Sequence, residues 1–302
     1  MGLLAYSSYF LLQKPSSIKT PHIARKAYYF PIPTKQCNQT TLPYLPITIG
    51  QQKISILLDL GLEGGFALSK DILDTIPNKT YLATHVFSGI RGIPYEKKGY
   101  EIPTLQLGPI HFEHVPVFEE FEDFDKMSFF AEDGTTPPPQ PSKGSVGWKA
   151  FKQSNLLLDL GHSLVSFADS FETLCQNGFG PTHFIKTPLL LDRGFVEIQT
   201  ITDNQPLRWI LDTGASVNLI QAEPKEGQTQ EEAIWDPTNF LVNIPFSIEG
   251  VEFDSIACHR AHLPQDCNIN AILGMPFFKD HVIFIDFANN FVYIAKSPYK
   301  IP

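Results

Sequence analysis

The chain has 302 residues, of which 43% are hydrophobic and 18% are charged, and its formal net charge is -9. This composition predicts a core of ordinary globular size, in one large domain or two smaller ones, and argues against wholesale disorder. The acidic balance argues against a nucleic-acid partner, which needs clustered Lys and Arg.

Short apolar runs, broken by turn-forming residues, recur along the whole sequence. The chain contains 25 prolines and 24 phenylalanines, and many of its short Val, Ile, Leu and Phe runs are broken by Pro, Gly or Asn. Such punctuation favours short strands over long helices. We therefore expect an all-β fold with few short helices.

Residues 1–40 are interpreted as an N-terminal segment. Its start, "MGLLAYSSYFLL", is too short to span a bilayer and lacks the basic residues of a secretory signal. A peripheral strand or terminal segment is favoured over a trimmed signal, and no transmembrane span is expected. Four cysteines, Cys37, Cys175, Cys258 and Cys267, are too sparse for a disulfide scaffold, so the compartment stays open.

A first lobe is predicted over residues 41–176. The hairpin "LPYLPITIGQQKISILL" ends at Asp59, and Gly61 and another apolar segment, "GGFALS", follow. Further on, Gly89 and Gly92 lie at the tip of a second hairpin, which is either an ordinary hairpin or a lid that opens over a cleft. The acidic and proline-rich stretch 119–142 is interpreted as a surface excursion.

The sequence contains an internal repeat. Residues 146–170 align without a gap to residues 273–297 at an offset of 127, and the shared residues include Gly147 with Gly274 and Asp159 with Asp286. Each copy reads as a strand, a helical turn and a hairpin, with turns predicted at Gly161-His162 and Asn289-Asn290. Asp159, in a second "LLDLG", is therefore a hairpin residue.

A second lobe is predicted over residues 177–302. The hairpin "GFVEIQTITDNQPLRWIL" ends at Asp212, within "ILDTGAS", and Asp59 precedes Asp212 by 153 residues. This offset exceeds 127, and the excursion in the first lobe accounts for the difference. The two aspartates are therefore predicted to occupy equivalent strand ends.

Near the second repeat copy, Cys258, His259, His262 and Cys267 offer four nitrogen and sulfur groups. Their spacing matches no common zinc finger, and consecutive strand residues point to opposite faces. Core and loop roles are favoured over a metal site. We therefore expect no metal and no cofactor.

The segment "WILDTGASVNLI", followed by "AILGMPFF", resembles the aspartic protease pattern, and the retropepsin-like branch more than pepsin. The resemblance is clear over 185–297 and weak over 45–170. It implies two similar β-barrel lobes related by pseudo-twofold symmetry, each giving one Asp to a shared cleft. It also implies hydrolysis of a peptide or unfolded protein by an endopeptidase.

The chemistry explains why two acids are needed. Two carboxyl groups within hydrogen-bonding distance cannot both ionise, so one can take a proton from water while the other polarises the substrate carbonyl. Asp212 and Asp59 are the candidate catalytic residues. Supporting roles are expected for Gly61, Gly214, Thr213, whose hydroxyl would reach the opposing lobe, and Ser216, which would hydrogen-bond Asp212.

The first lobe departs from the pattern at two positions. Leu60 stands where Thr213 stands in the second lobe, and Glu63 stands where Ser216 stands. Glu63 is expected either to face solvent or to be a third carboxylate near the dyad. Two alternatives therefore stay open: a binding module with an impaired dyad, and a homodimer with an Asp212/Asp212 dyad, against the favoured monomeric enzyme.

Overall fold

The computed structural model describes residues 42–88, 94–120, 143–176, 184–202, 205–222, 241–261, 263 and 269–297, with four short backbone segments before residue 42. The predicted all-β class is confirmed. The described helices are short: α1 (Lys70–Thr75), α2 (Phe171–Gln176) and α3 (Met275–Asp280). None of these helices has the length and apolar character needed to cross a membrane.

The described strands are mostly short and follow one another through tight turns. In chain order they are β1 (Phe10–Leu11), β2 (His22–Arg25), β3 (Phe30–Pro33), β4 (Lys35–Gln36), β5 (Pro43–Ile49), β6 (Gln52–Leu58), β7 (Phe66–Leu68), β8 (Thr80–Ser88), β9 (Pro94–Leu107), β10 (Ile110–Glu119), β11 (Gly144–Val146), β12 (Asn155–Asp159), β13 (Leu164–Ala168), β14 (Ile185–Pro188), β15 (Glu197–Thr202), β16 (Gln205–Leu211), β17 (Leu219–Gln221), β18 (Leu241–Ile244), β19 (Ser247–Ile248), β20 (Val251–Glu252), β21 (Ile256–Ala261), β22 (Ala271–Leu273), β23 (His281–Asp286) and β24 (Phe291–Lys296).

The first lobe, β5 to β11, contains a closed barrel. Its strands pair in the order β9, β10, β7, β11, β6, β5, and the ring closes where Ile47 of β5 pairs with Leu107 of β9. Phe66 and Phe112 lie fully buried inside, with ring centroids 5.2 Å apart in an edge-to-face arrangement. Alternating inward apolar residues thus fill the barrel.

The second lobe, β15 to β22, repeats this order. Its strands pair as β18, β21, β17, β22, β16, β15, which is the order of the first barrel strand for strand. The predicted pair of similar lobes is therefore confirmed.

A third sheet joins the two halves. Its order is β14, β24, β23, β12, β13, β3, and at its centre Leu157 of β12 pairs antiparallel with Phe284 of β23. These two residues are equivalent in the repeat, because 157 plus 127 is 284. An antiparallel pair of equivalent residues places a local twofold axis between them, as the predicted pseudo-symmetry requires.

The repeat is visible element by element, with one correction at the hairpin turns. Within the two repeat copies, the hairpin-turn residues with positive φ are Ser163, at 55°, and Asn290, at 57°, which are equivalent at the offset of 127. The prediction was right for Asn290 and wrong for Gly161-His162, because residues 160–162 form a 3-10 helix. Asp159 pairs with Leu164 and is a hairpin residue, as predicted.

The predicted excursion 119–142 begins too early. Glu119 belongs to β10, and Glu120 is buried, with its backbone N–H donating to the carbonyl of Leu68 at 2.8 Å. A run of acidic residues looked like surface, but its first two members complete the barrel. Residues 121–142 lie outside the described residues.

Candidate active site

The two aspartates follow equivalent strands directly. Asp59 comes after β6, and its N–H donates to the carbonyl of Val146 at 3.0 Å. Asp212 comes after β16, and its N–H donates to Leu273 at 2.9 Å. Val146 and Leu273 are equivalent in the repeat, so both lobes hold their acid with the same backbone contact.

Repeated glycines pack against the loops that carry the acids. A Cβ atom on Gly147 would lie 2.3 Å from the carbonyl oxygens of Leu62 and Gly64, and one on Gly274 would lie 2.2 Å from that of Val217. Any side chain here would push the loop away. Close approach, and not a special φ, therefore explains the repeated glycine.

Thr213 joins the two lobes at the acids. Its Oγ1 donates to the carbonyl of Leu58 at 2.7 Å and accepts from the N–H of Leu60 at 3.1 Å. Thr213 is fully buried. This is the predicted contact with the opposing backbone, and it clamps the peptide units on both sides of Asp59.

Asp59 and Asp212 face each other across this contact. Each is 1% exposed, and their side chains are within hydrogen-bonding reach. Gly214 packs directly on the Asp59 carboxyl, because a Cβ atom there would lie 2.6 Å from its Cγ. The halves of one chain thus bring both acids together, as the dyad prediction expects.

The environment favours the neutral form of Asp59. Burial holds the pKa of Asp59 well above its ordinary value of 3.8, and the charge and hydrogen bond of Asp212 raise it further, followed by the charge of Glu120. A hydrogen bond from the Gly61 backbone acts in the opposite direction. Desolvation therefore outweighs the effect of the local amide on the pKa, and the protonated form of the Asp59 carboxyl is favoured.

Backbone amides hold both carboxyl groups in place. The Gly214 N–H donates to Asp212 Oδ1 at 2.8 Å, and the Leu62 N–H donates to Asp59 Oδ1 at 3.2 Å. Because the glycine loops fix these donors, the orientation of each carboxyl is set by backbone. This arrangement can position one water against two carboxyl groups.

Comparison with family models found no match, and comparison with curated proteins found none. Among solved structures, the aspartic proteinase from Irpex lacteus matches with a TM-score of 0.53 at 12% identity, over 90% of this chain and 98% of that chain. Basic 7S globulin from soybean matches with a TM-score of 0.57 at 10% identity, over 90% and 96% respectively.

The chain has an aspartic-protease-like fold. Each matched chain spans both lobes by itself, as this chain does. At such identity the likeness extends to the fold alone, and one neighbour is named a proteinase while the other is named a globulin. The activity must therefore be argued from the site.

One expected contact of the candidate site is not formed. Ser216 Oγ is buried and has no hydrogen-bond partner among the described residues. The prediction that it hydrogen-bonds Asp212 was therefore wrong. The Gly214 amide already occupies Asp212 Oδ1.

Glu63 follows neither of its expected alternatives. It is buried, and its Oε1 accepts from Lys149 Nζ at 2.8 Å. The carboxyl group also packs against Gly194 of the second lobe, whose carbonyl accepts from Trp148 Nε1 at 3.2 Å. Glu63 therefore forms a buried ion pair at the junction between the lobes, and not a third acid facing the dyad.

The third carboxylate is Glu120, which the sequence placed on the surface. Glu120 Oε1 accepts from Lys97 Nζ at 3.2 Å, and Oε2 accepts from Ser145 Oγ at 2.7 Å. Its partners lie 23 and 25 residues away along the chain. No local signal in the sequence pointed to its burial, because the alternation of Val115 and Val117 leads to Glu119 and not to Glu120.

The predicted flap tip, Gly89 and Gly92, lies outside the described residues. The strands that flank it, β8 and β9, pair antiparallel up to Ser88 with Pro94. The two paired strands of the predicted hairpin are therefore present on both sides of residues 89–93. Its role as a lid stays a prediction.

Two of the four residues for which core and loop roles were favoured over a metal site, Cys258 and His259, lie on β21. Cys258 is buried and His259, the next strand residue, is partly exposed, so the two point to opposite faces. Burial raises the pKa of the Cys258 thiol to about 12. His262 and Cys267 lie outside the described residues, within which no cluster of three potential ligands occurs.

A cavity of about 310 Å³ lies elsewhere on the second lobe. Its lining includes Thr187, Gln199, Ile201 and Glu249, none of them a predicted site residue. It is therefore separate from the acids.

Proposed function

We propose that this chain is an aspartic endopeptidase that uses Asp59 and Asp212 to activate one water molecule. The observation that carries the proposal is the pair of carboxyl groups, each 1% exposed and within hydrogen-bonding reach of the other, at equivalent strand ends of the two lobes. A dyad in this setting shares one proton, so a base and an acid coexist. The ionised carboxyl takes a proton from water, and the protonated one polarises the substrate carbonyl.

The proposed substrate is a peptide or an unfolded segment of protein. An extended chain lying between the lobes and the β8–β9 hairpin would pair its backbone with that hairpin as an added strand. Thr213, Gly214 and Gly61 would hold the dyad geometry from the backbone side. The active species is proposed to be a monomer, because one chain supplies both acids.

A second candidate function is a peptide-binding or protein-binding module with an impaired dyad. Leu60 supports it, because this fully buried residue has no hydroxyl with which to make the contact to the second lobe that Thr213 makes to the first. The likeness to a globulin of the same fold supports it as well. The two candidates differ in turnover.

Cleavage of an unfolded protein, measured between about pH 3 and 7 with and without a statine-type inhibitor, tests the proposal. Hydrolysis that is lost in both Asp59→Asn and Asp212→Asn supports the two-lobed enzyme. Activity that survives Asp59→Asn contradicts its place in the dyad. Peptide binding without turnover at any pH favours the module. If the active species elutes as a dimer in gel filtration and Asp59→Asn keeps its activity, the homodimer with an Asp212/Asp212 dyad is favoured.

A further inference from the structure

Three buried polar side chains form a cluster within the first lobe. Lys97, Glu120 and Ser145 are 3%, 7% and 4% exposed, and Glu120 accepts a hydrogen bond from each of the other two. Burying an ion pair carries a desolvation penalty of several kcal/mol per ion, which the pairing only partly offsets. The cluster therefore needs an explanation besides stability.

The cluster is attached to the strand that ends at Asp59. Ser145 lies on β11, opposite Leu57 of the parallel strand β6, and the next residue, Val146, accepts the N–H of Asp59. Ser145 Oγ in turn holds Glu120 Oε2. Two consecutive residues of β11 thus hold Asp59 and Glu120, so the geometry between the two acids is set by a short, buried strand.

The second lobe shows that the fold does not require charge at this place. The equivalent of Ser145 is Ile272, since 145 plus 127 is 272. Ile272 lies in a wholly apolar cluster with Leu219, Leu263 and Ile269. The same strand position is therefore filled by hydrocarbon beside Asp212 and by a charged cluster beside Asp59.

We propose that Glu120, held by Lys97 and Ser145, is a positioning residue that keeps the dyad proton on Asp59 and leaves the negative charge on Asp212. Among titratable groups, Asp212 and then Glu120 contribute most to raising the pKa of Asp59, while the hydrogen bond from the Gly61 amide lowers it. The N–H of Gly214, at 2.8 Å from Asp212 Oδ1, stabilises the charge on that acid. The cluster thus makes two similar acids unequal.

The catalytic meaning of this asymmetry rests on the proposed function. Asp212 takes a proton from water as the water oxygen bonds to the substrate carbonyl carbon. The carbonyl π electrons move to its oxygen, which takes the proton from Asp59. The dyad ends with the proton on Asp212 and the charge on Asp59, so its net charge is unchanged. Asp59 is then the acid of the first step and Asp212 the base.

Titration of carboxyl carbons in protein labelled with ¹³C-aspartate tests the proposal without requiring turnover. Asp59→Asn identifies the Asp59 resonance. Glu120→Gln keeps the shape of the side chain and removes its charge, so we expect the Asp59 midpoint to move to lower pH by more than the error of repeat titrations. Lys97→Met/Glu120→Gln avoids an unpaired buried ammonium, and we expect a shift in the same direction.

The matched control is Lys149→Met/Glu63→Gln, which removes a second buried Lys–Glu pair among the described residues of the first lobe. We expect its Asp59 midpoint to stay at the wild-type value. An unmoved midpoint in both Glu120 variants, or an equal shift in the control, would overturn the proposal. Where hydrolysis is measurable, the basic limb of the kcat/KM profile should move with the midpoint. A shifted midpoint in a protein without turnover contradicts the enzymatic function and leaves this inference standing.

Discussion

Removing the hydroxyl of Thr213 should weaken the junction between the lobes. Thr213→Val keeps the size and shape of the side chain but leaves the Leu58 carbonyl and the Leu60 N–H without the partner they have at 2.7 and 3.1 Å. A buried polar group left unsatisfied costs about 1–3 kcal/mol. Two such groups predict a loss of about 2–6 kcal/mol in the free energy of unfolding.

Urea unfolding followed by tryptophan fluorescence measures this loss, because Trp148 and Trp209 lie buried in different lobes. Thr213→Ser is the matched control. It keeps the hydroxyl and removes one methyl group, so we expect a loss of only about 1 kcal/mol. If Thr213→Val is no less stable than Thr213→Ser, the hydroxyl does not hold the lobes, and the reasoning from these two hydrogen bonds is refuted.

Three further predictions follow from the contacts around the dyad. Glu63→Gln strands the Lys149 charge, so it should lower stability by about 3–5 kcal/mol, and adding Lys149→Met should recover much of that loss in urea unfolding. Gly214→Ala places a Cβ atom 2.6 Å from Asp59 Cγ and should reduce kcat/KM by about 100-fold; wild-type kinetics would contradict the close packing. The pKa of Asp59 is raised in the folded state, so the protonated group contributes fully to the free energy of unfolding below pH 3.8, the ordinary pKa. This contribution is lost as the pH rises through the pKa of the folded state. Asp59→Asn should therefore be more stable than wild type at neutral pH, with the difference vanishing in acid; parallel stability curves would show that Asp59 is not desolvated.

The features that could be predicted from the sequence are those with a local or repeated signature. The offset of 127 suffices to identify Asp159 as a hairpin residue, because register within a repeat is preserved by packing. The strand-end position of Asp59 and Asp212 followed from apolar runs that stop at an acid. The inter-lobe contact of Thr213 came from the resemblance, and the observed hydrogen bonds have the expected form.

The features that escaped prediction depend on partners far away in the chain. Glu63 meets Lys149 across 86 residues, and Glu120 meets Lys97 and Ser145 from separate strands. No local pattern distinguishes a buried, paired glutamate from a solvated one, since the difference lies in which side chains the barrel brings together. The positive φ of Ser163 escaped prediction for a different, local reason: residues 160–162 form a 3-10 helix, so the turn lies one residue later than predicted.

The departures at Leu60 and Glu63 weigh less against a working dyad than the sequence alone suggested. A hydroxyl both donates and accepts, so Thr213 by itself clamps the peptide units before and after Asp59. A second threonine would add the same pair of hydrogen bonds from the other lobe, but in its absence Asp59 is still buried and within hydrogen-bonding reach of Asp212. Glu63 lies in its ion pair with Lys149 at the junction between the lobes and is not among the main influences on the pKa of Asp59, whereas Glu120 is. The asymmetry that does act on Asp59 comes from Glu120, and it favours a division of roles between the two acids over a loss of function.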